Sequence, residues 1–131
     1  MITAFRFFLN AEQRLREEAL NSMRDHLKET GRLVCNIHMN AASPFGIAAR
    51  IVNHLPFSRV RNTMSAGEMT ALLHSAGFSV ERVIGYGYLP RPGHLLPHLC
   101  ERCVEPADRV ARAIRMPARF AQQLLFVAKK R

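Results

Sequence analysis

The run Gly31-Arg32-Leu33-Val34-Cys35 does most to limit what this chain can fold into. Three consecutive apolar residues, rather than an alternation, describe a strand of a parallel sheet covered on both faces. The glycine ahead of them is placed to end a helix in the left-handed conformation that glycine adopts most readily. Upstream, Leu15, Ala19, Met23 and Leu27 recur every four residues with Leu20 beside them, one apolar stripe of an amphipathic helix. Asn10 is placed to cap its first turn, with Gln13 at the reciprocal position. These signals predict a helix over residues 11–30 and a strand over 32–39. Together they form the αβ half of a crossover unit, so the fold class is α/β.

Later segments extend the pattern. Ser43-Pro44 opens a short helix through Phe45, Ile47, Ala48, Ile51, Val52 and Leu55, stopped by Pro56. Phe57 to Thr63 is irregular and basic, with Arg59 and Arg61. Ser65 and Glu68 make a capping box for a helix over residues 65–76, with Met69, Leu72, Leu73 and Ala76 as its stripe and Gly77 as its end. A strand is predicted over 78–88, and the change of apolar phase between Val80 and Val83 predicts a bulge within it. Gly85-Tyr86-Gly87-Tyr88 closes that strand, and Pro90-Arg91-Pro92-Gly93 breaks the chain. Residues 94–117 look helical but are interrupted by Pro97, Pro106 and Pro117, and a last strand covers 123–129.

In order and spacing these elements resemble the C-terminal half of a class I S-adenosylmethionine-dependent methyltransferase. Ile2-Thr3-Ala4-Phe5-Arg6 is similar to the end of that family's fourth strand. Leu27-Lys28-Glu29-Thr30-Gly31-Arg32-Leu33-Val34 is similar to its junction of fourth helix and fifth strand. Met64-Ser65-Ala66-Gly67-Glu68-Met69, running through to Ser75-Ala76-Gly77-Phe78, resembles its late helix and Ala-Gly-Phe turn. Gln123 to Lys130 resembles its antiparallel final strand. The resemblance implies a partial Rossmann-like sheet with strands 4 (a stub), 5, 7 and 6 in that order and flanking helices. It implies one incomplete domain over 1–131, with 1–90 and 118–131 as core and 91–117 as a variable helical insertion. The family's Gly-x-Gly-x-Gly loop is missing, since Gly85-Tyr86-Gly87 lies late and opens no helix. The expected protein is therefore a methyltransferase family member without the cofactor half (a gene fragment, a misassigned start or a functional half). It is expected to be inactive as an isolated chain, with a sheet edge open to a partner chain or a second copy. The alternatives are a non-catalytic interaction module pairing with another chain or an anionic surface and, behind it, a zinc-stabilised nucleic-acid binder.

The resemblance also supplies candidate site residues. Thr3, Ala4, Phe5 and Arg6 stand at the carboxyl end of a strand, where the family holds S-adenosylmethionine; the plainer reading makes Phe5, Phe7 and Phe8 core. Asn36, His38 and Asn40 follow the next strand on the substrate side. There His38, with an ordinary pKa near 6.5, is the candidate general base for methyl transfer to a small-molecule or lipid-like acceptor. Tyr86 and Tyr88 would border the acceptor pocket, although packing aromatics with a polar tip are the default.

Net charge is +9 over 131 residues, which favours anionic partners. The positive residues are spread along the chain, however. Arg109, Arg112, Arg115 and Arg119 read as a solvated helical face, and there is no tryptophan, so a nucleic-acid partner is disfavoured. His94, His98, Cys100 and Cys103 have zinc-ligand chemistry, but they form a single packet interleaved with Leu95, Leu96, Leu99 and Val104, so no metal site is assigned. Three cysteines, an odd count, leave no complete disulfide framework and suit a reducing, cytoplasmic compartment. The apolar stretch Met1 to Leu9 is interrupted by Arg6 and is too short to span a membrane.

Overall fold

The computed structural model describes residues 1–53, 62–89 and 97–131, with 97–101 as backbone only. Its elements, in chain order, are β1 (Ile2–Ala4), α1 (Gln13–His26), β2 (Arg32–Ile37), α2 (Pro44–Asn53), α3 (Ala66–Ser75), β3 (Phe78–Tyr86), α4 (Pro97–Ala113), a short 3-10 turn at Ala118–Phe120, and β4 (Gln123–Lys130). The sheet runs β1-β2-β4-β3. β1 and β2 are parallel, joined through α1, whereas β4 lies antiparallel between β2 and β3. This is the expected strand order, with β1 as the stub.

Register decides where the core sits. Ile2, Ala4, Leu33, Cys35, Ile37, Leu124, Phe126 and Ala128 share one face of the sheet. They join Leu20 and Leu27 of the α1 region, Met69 and Leu73 of α3, and Phe8 and Phe78 in a single buried cluster. Val34, Leu125, Val127 and Ile84 point to the opposite face and stay partly exposed. The apolar run at Leu33-Val34-Cys35 is therefore covered on one side only by the described residues, not on both as its composition suggested. The bulge falls between Val80 and Arg82, where the apolar phase predicted it.

Several local expectations need correction. Helix α1 starts at Gln13, not at residue 11, and its N-cap residue Glu12 makes no side-chain cap. The backbone from Phe7 to Ala11 is instead taken up by turns, and the Asn10 side chain donates to the Arg6 carbonyl at 2.9 Å. Leu15 is 49% exposed, because the buried face of α1 centres on Leu20 and Leu27. Arg24 lies partly along that face and donates from Nη1 to the Ala76 carbonyl at 3.2 Å, tying α1 to the end of α3.

The helix also ends early, at His26, with Leu27 extended so that its side chain turns into the core. Gly31 is not left-handed. It serves close approach, since a Cβ there would stand 2.7 Å from the Leu27 side chain and 2.8 Å from the Lys28 carbonyl oxygen. Gly77, at φ +83°, does end α3 in the left-handed form, and the Ser65–Glu68 capping box is present in full.

In α2 the expected stripe faces outward: Ile47, Ile51 and Val52 are all about half exposed or more. Leu55 and the basic pair Arg59 and Arg61 lie outside the described residues. Pro106 does not interrupt α4, which runs through it. Pro106 lies on an exposed side of the helix, where the carbonyl it leaves unpaired four residues earlier can meet water. β2 and β3 stop at Ile37 and Tyr86, shorter than residues 32–39 and 78–88.

Candidate active site

Because β1, β2 and β3 run in one direction, their carboxyl ends open on one side of the sheet. In open α/β sheets that side carries ligand crevices. Here the chain leaves β1 through Phe5, which is 55% exposed, and then adopts a left-handed conformation at Arg6 (φ 57°). A non-glycine residue holds that conformation only when its surroundings impose it. The cause is visible on both sides of the residue. The Arg6 amide donates to Asn36 Oδ1 at 2.8 Å, and its carbonyl accepts from Asn10 Nδ2 at 2.9 Å.

Asn36 is the hub of this end. It is 4% exposed, on the side of β2 away from the core, and its Nδ2 donates to the Tyr86 hydroxyl at 3.0 Å. One buried amide thus ties the turn after β1, the body of β2 and the last residue of β3. His38 follows directly after β2. Burial first, and the Arg6 charge second, hold its pKa below the ordinary 6.5, so the ring is neutral at pH 7. Its Nδ1 is buried without a hydrogen-bond partner among the described residues. A neutral imidazole is a competent proton acceptor for a group bound beside it.

The remaining candidates separate from this crevice. Thr3 is exposed on the open face, whereas Ala4 is buried in the core. Phe8 is core and Phe7 packs edge-on against it at 5.2 Å, so of the three aromatics only Phe5 is presented outward. Asn40 is fully buried and committed to the backbone. Its Nδ2 donates to the Arg119 and Ala121 carbonyls at 2.9 Å each, and its Oδ1 accepts from the Ala42 amide at 3.1 Å. Even its carbonyl is enclosed, since a Cβ on Gly46 of α2 would overlap it. Tyr88 turns away toward α4, donating its hydroxyl to the Met116 carbonyl at 3.1 Å. Asn36, His38, Arg6, Phe5 and Tyr86 are therefore brought together, and Ala4, Asn40 and Tyr88 are not.

One residue was missed from the sequence. Asp108 of α4 accepts from the amides of Gly87 and Tyr88, each at 3.0 Å, and so holds the chain beyond β3. No local signal marks it, because its partners lie about twenty residues away. The expected arginine stripe is also divided. Arg109 pairs with Glu105 at 2.6 Å, Arg119 stacks on the Phe120 ring at 4.9 Å, and Arg115 lies past the helix end. Cys35 is buried and Cys103 exposed, both as free thiols. Among the described residues no three His, Cys, Asp or Glu side chains gather to hold a metal; His94 and the side chains of His98 and Cys100 fall outside them. Among the described residues no helix is long and apolar enough to cross a membrane.

No protein-family model matches the chain, and no curated protein does. Solved structures do. The pyocyanin biosynthetic protein PhzM superposes on 98% of this chain with a TM-score of 0.59 and 17% identity. The [4+2]-cyclase SpnF covers 98% at 0.53 and 14% identity, and an S-adenosylmethionine-dependent methyltransferase from Mesorhizobium loti covers 98% at 0.52 and 15% identity. The chain spans 29%, 49% and 60% of those three proteins respectively. The likeness establishes the fold, a mixed α/β sheet with flanking helices of the methyltransferase kind. A cyclase among the neighbours shows that this fold alone does not fix a reaction.

Proposed function

We propose that the chain forms the acceptor side of an S-adenosylmethionine-dependent methyltransferase acting on a small-molecule or lipid-like acceptor. The observation that carries this reading is the polar cluster at the carboxyl ends of β1 to β3, where Asn36 bonds the Arg6 amide and the Tyr86 hydroxyl two residues before His38, in a methyltransferase-like sheet. In it the neutral His38 receives the proton of the acceptor's hydroxyl or amine. Asn36 keeps Arg6 and Tyr86 in place around that group, and Phe5 offers an apolar contact.

The described residues do not by themselves fit the cofactor. The sequence has no glycine-rich loop, and no carboxylate interacts with Arg6 or His38 among the described residues. No chemical step through the cofactor is therefore derived, and on this reading the described residues alone do not bind S-adenosylmethionine. Calorimetric titration of the purified chain, with its oligomeric state measured in parallel, tests this. No saturable binding is expected from the chain alone, and micromolar binding is expected once a segment bearing a Gly-x-Gly-x-Gly loop is supplied. Tight binding by the isolated chain would overturn the division of labour, and no binding in either case would overturn methyl transfer.

The partly exposed apolar face at Val34, Leu125, Val127 and Ile84, with the edge of β1 that no other described strand pairs, favours a second reading as an interaction module without catalysis. In that case His38→Ala would leave every function of the protein intact.

A further inference from the structure

A cavity lies at the β3 edge of the sheet, between β3 and the end of α4. Its volume is about 400 Å³, and its lining includes Arg82, Arg112 and Arg115 with Ile84, Tyr88 and Met116. From this we infer a binding site for a small amphipathic anion: a carboxylate or phosphate monoester carried on a flat apolar body. The inference does not rest on methyl transfer, although Tyr86, the partner of Asn36, also lines this cavity.

Charge balance points to the anion. Three guanidinium groups share the lining with one carboxylate, Asp108. That carboxylate is already engaged, since each of its oxygens accepts a backbone amide, from Gly87 and from Tyr88. Arg112 uses only its Nε, which donates to the Asp108 carbonyl at 3.2 Å. Among the described residues none of the three arginines has an acidic side chain within ion-pair distance, whereas their neighbour Arg109 is paired with Glu105. Guanidinium groups present several donors in a plane and suit oxyanions.

Backbone geometry is the second observation. α4 ends in a Schellman motif, with the Met116 amide donating to the Ala111 carbonyl at 2.8 Å and the Arg115 amide to the Arg112 carbonyl at 3.1 Å. The left-handed position of that motif normally takes glycine. Here it is Arg115, at φ 53°. A long cationic side chain held in a conformation that disfavours it, at the lip of a cavity, is the kind of strain that accompanies function. The apolar lining supplies the other half of the ligand. Gly85 lets Ala118 and the Tyr88 hydroxyl approach the β3 backbone, because a Cβ there would stand 2.9 Å and 2.8 Å from them. Ile84 and Met116 extend that wall.

The test is calorimetric titration of the full chain with phenyl phosphate, benzoate and inorganic phosphate at low salt. Saturable binding of the two aromatic anions is expected, weaker binding of inorganic phosphate, and loss of affinity as salt rises, because the arginines are exposed. Arg115→Gly is the decisive variant. It removes the guanidinium and relieves the backbone, so the melting temperature should hold or rise while affinity falls about tenfold, as for one lost charge-assisted contact. Arg82→Ala should weaken binding similarly, and Arg109→Ala should not. Flat titrations with every probe would overturn the site. So would affinities that ignore Arg82 and Arg115, or equal affinity for phenyl phosphate and inorganic phosphate. Capture only by phosphatidylserine vesicles would replace a small ligand with a membrane surface and overturn it as well.

Discussion

Alternate residues of the same strands build the two faces of the sheet, and the two faces have different fates. On one, Leu33, Cys35, Ile37, Leu124, Phe126 and Ala128 are at most 1% exposed beneath α1 and α3. On the other, Val34, Leu125 and Val127 are partly exposed and Ile84 is 38% exposed. That face is bounded at one end by an ion-paired group, Glu81 with Arg32 at 2.7 Å and Lys129 at 3.6 Å, and at the other by the Asn36–Tyr86 bridge. The closed face carries stability and the open face carries polar, chemically usable groups. Neighbouring apolar residues on the two faces should therefore behave very differently on truncation.

The largest contrast is between Phe126 and Val127. Phe126→Ala removes a fully buried ring and should lower the unfolding free energy by about 3–5 kcal/mol. Val127→Ala, one residue on, should lose only about 1 kcal/mol, because the side chain is small and partly exposed. Urea unfolding of the two variants measures both. Equal losses would mean that something covers the open face in solution, which would break the comparison.

Asn40→Ala comes next. It strips partners from two carbonyls and one amide in a fully buried site, so a loss of about 2–3 kcal/mol is expected. Asn36→Ala should lose less, about 1–2 kcal/mol, since it releases a partly exposed Arg6 amide and a tyrosine hydroxyl that water can reach. If the order were reversed, Asn36 rather than Asn40 would be the main polar tie of the fold.

How much of this was legible in the sequence follows from the range of each interaction. The Ser65–Glu68 box, Gly77 and the slip between Val80 and Val83 act within a few residues, and all three stand where the pattern put them. The strand order was implied by the resemblance to class I methyltransferases, not by these local signals. What escaped were side chains whose partners are distant in sequence. Asn40 was read as a substrate ligand, but it meets Arg119 and Ala121, some eighty residues away. Leu15 and Ala19 matched a helical stripe as well as Leu20 does, yet which flank of α1 is buried is decided by where β2 and α3 lie. Gly31 carried the right identity for a different reason, room for Leu27 rather than a left-handed turn. At the crevice, the types and positions of Asn36, His38 and Tyr86 were readable, but the hydrogen bond that joins two of them was not.

Cysteine reactivity gives a sharper test of the closed face at little structural perturbation. Burial pushes the Cys35 thiol up to about 12, so almost no thiolate forms at neutral pH. Cys103 is exposed. Iodoacetamide labelling followed by peptide mapping should modify Cys103 within the native state and Cys35 only at the rate of global unfolding. Comparable rates would show that the closed face opens locally.

The smallest expected effect concerns acid, and it separates the crevice from the core. The folded chain holds His38 below its ordinary pKa of 6.5, chiefly by burying it and secondarily through Arg6. The unfolded chain therefore binds the proton more readily than the folded one as pH falls below about 6.5, the ordinary histidine value. The resulting stabilisation of the neutral form is present above that pH and is lost as pH falls toward the folded-state pKa. Urea midpoints measured from pH 7.5 down to pH 5 should fall for the parent chain and fall less for His38→Gln, which has no charge to acquire. Lengthening the contrast, Arg6→Gln should leave most of the parent's acid sensitivity in place, because burial, not the neighbouring charge, is the main cause. If Arg6→Gln removed the sensitivity entirely, the crevice would have to be far more open to water around the imidazole than its buried Nδ1 indicates.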